Sequence, residues 1–164
     1  MAVGARQVLR VRIEGPFEQA ARQNAARTSC PGLRMFSHIF VGTNDFERAL
    51  AFYRPLMAAL DIEPRFCEAG RPWAGWQTTG GPRPLFLIGK PYDQQAHQPG
   101  NGQMVAFLAD SRAAVDRAHA VALAHGGRCE GPPGLRPEYH AHYYGAYFRD
   151  PDGNKLCVAC HKAP

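Results

Sequence analysis

Residues 143–161 read YYGAYFRDPDGNKLCVACH, and their pattern decides the fold. Tyr143 to Arg149 is aromatic and β-prone. Asp150-Pro151-Asp152-Gly153-Asn154 is a run of turn formers, in which Pro151 fixes φ and Gly153 or Asn154 tolerates φ > 0. Lys155 to His161 is apolar again. Two β-prone runs around five turn residues predict a hairpin. Pairing Arg149 with Lys155 across the turn sets Tyr147 opposite Cys157 on one face, with Tyr143 following at even spacing.

Working outward, the segment before the hairpin contains a strand (Gln103 to Ala109), a helix capped by Asp110 or Ser111, a Gly126-Gly127 C-cap and a short strand at Arg128–Glu130. A Pro- and Gly-containing loop, 131–142, leads into the hairpin. The same order occurs upstream. Met35 to Gly42 alternates as a strand, with Phe36, His38 and Phe40 on one face and Ser37, Ile39 and Val41 on the other. Asn44 precedes a helix with Glu47 as capping-box partner, and Phe46, Ala49, Leu50, Tyr53 and Leu56 or Met57 recur at helical spacing. Pro55 inside that pattern predicts a kink or break near Arg54. Strands at Arg65–Glu68, Trp73–Thr79 and Leu85–Gly89 follow, punctuated by Gly and Pro. The expected fold class is therefore α+β. Two tandem βαβββ modules, about 35–90 and 103–161, form a curled mixed-sheet cup with the helices outside. Setting Asn44 against Asp110 pairs His38 with Met104, and Leu85-Phe86-Leu87 aligns with Leu156-Cys157-Val158.

The strand FSHIFVG before a capped helix, the strand GNGQMVAF and the turn FRDPDGNKL resemble the vicinal oxygen chelate superfamily, the group of glyoxalase I, fosfomycin and bleomycin resistance proteins and extradiol dioxygenases. The resemblance spans about residues 35–161. It implies a divalent metal held by ligands from the first and last strands of each module. The corresponding positions are His38, Phe86, Met104 and Cys157, of which only His38 and Cys157 carry strong donors. A zinc site wants three or four. Magnesium or manganese, which prefer oxygen, would find none here.

Residue chemistry narrows the candidate site. His38 is the candidate catalytic group: in a dry cleft its neutral imidazole can act as a base, and its alternative role is a core histidine satisfied by one hydrogen bond. Cys157 is a candidate soft metal ligand or nucleophile, with a small apolar core residue as the bland alternative. His140 and His142, in the loop before the hairpin, would complete a His/His/Cys set suited to zinc if that loop folded over the cup, and are otherwise solvent-facing. Trp76, Phe86, Met104 and Tyr147 are the candidate substrate-binding wall, with Trp73 or Trp76 supplying its flat side. Arg136 is a candidate anchor for an anionic group, or a solvated loop charge. Cys157-Val-Ala-Cys160-His161 has the spacing of a c-type haem attachment, but strand geometry sends residues three apart to opposite faces.

Composition sets the outer limits. With 164 residues the chain suffices for one domain with a real core. Its net charge of +5 is concentrated at the start, where residues 1–34 carry six arginines and two glutamates. The rest, with 13 basic and 12 acidic residues, shows no basic stripe for nucleic acid. Residues 1–34 are expected to be a disordered or non-native extension, with an organelle transit peptide as the other reading. Five cysteines and no secretion signal fit free thiols and a cytoplasmic location. No apolar run is long enough for a membrane span. The expected function is a small-molecule-binding protein with a degenerate metal site, taking a partly aromatic ligand or a thiol conjugate. The alternative is a metal-dependent lyase or isomerase resembling lactoylglutathione lyase, and a third reading is a dimeric scaffold with a filled cup. The resemblance also implies a homodimer.

Overall fold

The computed structural model describes residues 35–164 apart from 69 and 78–81. The expectation for residues 1–34 lies outside the described residues. Elements run in the order β1 (His38–Gly42), α1 (Phe46–Ala59), β2 (Glu63–Glu68), β3 (Trp73–Gln77), β4 (Leu85–Gly89), β5 (Val105–Leu108), α2 (Arg112–Ala124), β6 (Arg128–Leu135), β7 (Tyr144–Arg149) and β8 (Lys155–Cys160). They form two four-stranded mixed sheets with strand orders β1-β4-β3-β2 and β5-β8-β7-β6, the tandem βαβββ arrangement. In each, the first strand runs parallel to the last and the other pairs are antiparallel. No helix among the described residues is long and apolar enough to cross a membrane.

The first helix starts one residue later than the sequence pattern suggests, and the second takes the later of its two candidate caps. Asp45 caps α1 by accepting from the Arg48 N–H, and Ser111 caps α2 by accepting from Ala114. The two caps keep the same separation as Asn44 and Asp110, so the module repeat stands. Asn44 instead orders the linker: its side-chain amide donates to the His97 carbonyl, and its oxygen accepts from the His97 N–H at 2.7 Å. Pro55 does not break α1, which runs unbroken to Ala59. The carbonyl that loses its donor belongs to Ala51, an exposed residue where water can replace the bond. Phe52, Tyr53, Leu56 and Met57, all fully buried, hold the helix on both sides of the proline.

One continuous core joins the modules. Sheet one contributes Val41, Trp76, Phe86 and Ile88, and sheet two contributes Phe107, Phe148, Leu156, Val158 and Cys160. Phe86 meets Phe107 edge-on at 5.0 Å, and Phe52 reaches from α1 to Phe148 at 6.4 Å. The turn 150–154 makes this packing specific. Asp150, 4% exposed, accepts four hydrogen bonds: from the Tyr53 hydroxyl at 2.7 Å, the Asn154 side chain at 2.8 Å, and the N–H groups of Asp152 and Asn154. Asn154 also donates to the Gly42 carbonyl and bonds His97, while Asp152 takes Arg48 at 2.8 Å. The turn of module two is thus bolted to β1 and α1 of module one.

The outer edges of the sheets differ from the inner ones. β2 carries Pro64 and β6 carries Pro132 and Pro133, and the ladder shifts register at both places. A proline removes a ladder donor, so such strands belong at edges. β6 extends to Leu135, further than the expected end at Glu130, because the proline run is tolerated there.

The buried turn and the linker above it can each be tested. Burial first, then the neighbouring Asp150 carboxylate, pushes the Tyr53 hydroxyl well above its ordinary range. The folded chain therefore holds this proton more tightly than the unfolded one. Its contribution is complete below about pH 10, the unfolded value, and is lost above it. Tyr53→Phe should cost about 1.5–3 kcal/mol in urea unfolding at pH 7 and blunt the loss of stability above pH 10; an unchanged midpoint and alkaline profile would contradict the role. At Gly42, an added Cβ would collide with Nδ1 of His97, so Gly42→Ala should cost about 1–3 kcal/mol by overpacking. In a His97→Ala background the same change should cost under about 0.5 kcal/mol, a coupling measurable by a double-mutant cycle.

Candidate functional site

β1 places His38, Phe40 and Gly42 on the face of sheet one that turns away from α1. Cross-strand register puts Leu85, Leu87 and Gly89 on that face from β4, and Gln77, Gly75 and Trp73 from β3. Glycine is required at Gly75, where a Cβ would lie 2.6 Å from the Phe66 ring and 2.7 Å from Leu87. Phe66 crosses that gap and packs on Trp73 at 4.5 Å.

Over this floor lies a cleft of about 1000 Å³, walled by Phe40, Phe46, Trp73 and Leu87 and rimmed by the loop 90–97. Its polar and charged residues include His38, Asn44, Arg71, Lys90 and His97, and none of the described residues lining it is acidic. Arg71 lies over the Trp73 ring at 4.7 Å, a cation–π contact that steadies both side chains. His38 is exposed, with its Nδ1 at 3.3 Å from the Ser37 hydroxyl. It is neither a core histidine nor enclosed in a dry pocket.

The equivalent face of sheet two is arranged differently. Cys157 pairs with Tyr147, in keeping with the expected hairpin register, yet its thiol is fully buried. Tyr143 covers it, with the hydroxyl 3.6 Å from the sulfur, and Tyr147 donates to Tyr143 at 3.5 Å. Burial pushes the Cys157 thiol up, which disfavours the thiolate needed for nucleophilic attack or metal binding. Arg136 and Lys155 flank the Tyr147 ring. Arg136 also donates to the carbonyls of Pro132 and Leu135, so it braces β6. Cys160 lies on the opposite face of β8, in the core, and the register itself rules out one porphyrin bridging both sulfurs.

Several expectations need correction. Trp76 and Phe86 do not line the cleft: both are buried beneath α1, with their rings 6.2 and 5.3 Å from Tyr53. Trp73 takes the wall position, because residues three apart on β3 face opposite ways. Hydrogen bonds from Thr43 to Gly89 and from Ala109 to Ala159 align the modules, and make Leu87, not Phe86, the counterpart of Cys157. Met104, just before β5, is 45% exposed and does not line the described cleft, nor does Tyr147. His140 does not reach His38: it stacks on His161 with their nitrogens 2.8 Å apart, and its Nδ1 accepts from the His142 N–H. The positions at which the resemblance implies metal ligands hold His38, Leu87, Met104 and a tyrosine-covered Cys157. That donor set does not fit a divalent metal, and among the described residues no three His, Cys, Asp or Glu side chains converge on one point. Sequence reasoning missed Leu87, Arg71, Lys90 and His97. Leu87 sits in a run, 85–88, that is apolar throughout and carries no facing signal; the other three lie on loops, where no period applies.

Comparison with known proteins agrees with this architecture. The model of the Glyoxalase/Bleomycin resistance protein/Dioxygenase superfamily matches residues 35–158. A comparison with curated proteins returned no match. Among solved structures, the chain is similar to a glyoxalase/bleomycin resistance protein from Albidiferax ferrireducens T118. Identity is 38%, the TM-score is 0.69, and the match covers 77% of this chain and 98% of that one. A glyoxalase/bleomycin resistance protein/dioxygenase family enzyme from Burkholderia phytofirmans PsJN shares 19% identity, at TM-score 0.60 over 77% and 98% of the two chains. Lactoylglutathione lyase from Agrobacterium tumefaciens shares 21%, at TM-score 0.54 over 80% and 96%; these two share the fold. The family model covers most of the chain, and the chain belongs to the Glyoxalase/Bleomycin resistance protein/Dioxygenase superfamily.

Proposed function

We propose that this protein binds a small, partly aromatic, anionic molecule in the cleft of module one, and that it does so without a metal. The observation that carries this reading is the lining: Phe40 and Trp73 offer flat apolar walls and Leu87 an aliphatic surface, while Arg71 and Lys90 bring positive charge with no lining carboxylate among the described residues to oppose them. Apolar walls supply affinity for a ring, and a few placed charges set orientation. His38 at the floor is a hydrogen-bond partner for the ligand. A lyase or isomerase reaction of the lactoylglutathione lyase kind relies on a metal to polarise oxygen, and Leu87, Met104 and the covered Cys157 do not furnish its ligands.

A homodimer fits the same reading. Within one chain the modules join through their helices and core, and the opposite face of each sheet keeps an exposed apolar side chain. Phe40 and Leu108 are 46% and 68% exposed there, and β1 and β5 each pair on one side only. A second copy of the chain is the occupant these edges suit, since each has both an apolar face and unused backbone donors and acceptors.

The test uses matched probes. 2-Naphthoate should quench tryptophan fluorescence and bind about tenfold more tightly than neutral 2-naphthamide, a difference of about 1.4 kcal/mol. That preference should vanish in Arg71→Ala/Lys90→Ala; equal affinity for both probes would overturn the anionic reading. Elemental analysis of protein purified without chelator should find no stoichiometric metal. One equivalent of zinc that disappears in His38→Ala would overturn the metal-free reading. Leu108→Lys should shift sedimentation equilibrium from dimer to monomer with little change in the urea midpoint, and a monomeric parent would remove the dimer.

A further inference from the structure

Away from the cleft, α2 and β6 bring together a thiol and an imidazole that the binding reading does not use. Cys129 is the second residue of β6 and pairs with Phe148, so it lies on the helix side of sheet two, at the outer edge. His119 projects from the sheet-facing side of α2 and is 8% exposed. Its ring packs edge-on against Phe148 at 6.1 Å, which fixes its plane. Nε2 of His119 is 3.2 Å from the Cys129 sulfur. Because β6 is an edge strand, Cys129 itself is exposed. The other three described cysteines differ: Cys157 and Cys160 are buried, and Cys67 is exposed beside the Arg54 guanidinium at 3.7 Å, with no base.

The geometry points to Cys129 as a thiol-modification site, activated by His119 and directed at low-molecular-weight disulfides. A thiol exchanges only as its thiolate, so a base held against the sulfur sets the rate. Burial lowers His119 below its ordinary value, against the opposing pull of Asp116 on the same helix. The ring is therefore neutral near pH 7 and can accept a proton. In the step, Nε2 takes the Cys129 proton, the sulfur bonds to one sulfur of the disulfide, the S–S bond breaks, and the departing thiolate regains the proton. Thiol and disulfide become a mixed disulfide and a new thiol, with the added disulfide as the two-electron acceptor. The reverse reaction with free thiol restores Cys129. The accessible edge admits the reagent, while Phe148 keeps the imidazole pointed at the sulfur.

The test exposes the full chain to glutathione disulfide at pH 7 and follows each cysteine peptide by mass spectrometry. Cys129 should gain glutathione about tenfold faster than the same cysteine in the urea-unfolded chain. His119→Gln should slow Cys129 about tenfold while leaving Cys67 unchanged. His119→Phe, which keeps ring volume against Phe148, should do the same and covers the case in which glutamine disturbs folding. Excess reduced glutathione should release the adduct. A Cys129 rate in the folded parent protein no greater than in the urea-unfolded chain would overturn the proposal without any variant. So would an unaltered Cys129 rate in either folded His119 variant.

Discussion

The buried carboxylate of Asp150 is the constraint on which the arrangement of the two modules depends. A charge taken out of water is costly unless nearly all its hydrogen-bonding capacity is met. Here four donors meet it, three from its own turn and one from Tyr53 on the other module. The turn alone would leave Oδ2 with one donor instead of two, so the carboxylate is fully satisfied only when Tyr53 of α1 reaches the turn between β7 and β8. Hydrophobic burial favours many ways of pressing two apolar faces together. This single polar set admits one of them.

That restriction explains how a binding cleft arises on only one sheet. With Asn154 holding the Gly42 carbonyl and His97 seated over Gly42, the linker is brought across the end of β1 and becomes a rim. The second sheet has no such loop among the described residues. Its own tyrosines fold down instead and close over Cys157. Two modules of common pattern thus have different roles, one open and one filled. The difference lies in the linker that leaves β4 and in the tyrosines carried on and beside β7.

The pattern of the fold was legible in the residues because it depends on periods and punctuation. The hairpin register Arg149–Lys155, the Gly126 helix end and the module order all come from turn chemistry and alternation. The site was less legible for a physical reason. Leu85-Phe86-Leu87-Ile88 is apolar throughout, so a buried strand gives no sign of which residues face the helix and which face the cleft. The parity of β3 was equally hidden, as Trp73 and Trp76 offer the same chemistry to opposite sides. Loop residues such as Arg71 and Lys90 obey no period at all, and only the folded chain shows that they share a rim.

The prolines of the outer strands have a consequence for how copies of this chain can meet. Each sheet has one outer strand interrupted by proline and a register shift, β2 or β6, and one uninterrupted strand at its other end, β1 or β5. A sheet open at both ends can recruit neighbours indefinitely, which is the geometry of a fibre. A sheet open at one end only is terminated by its first partner. Residues such as Pro64, Pro132 and Pro133, which do not line the cleft, therefore confine any strand addition to the β1 and β5 edges.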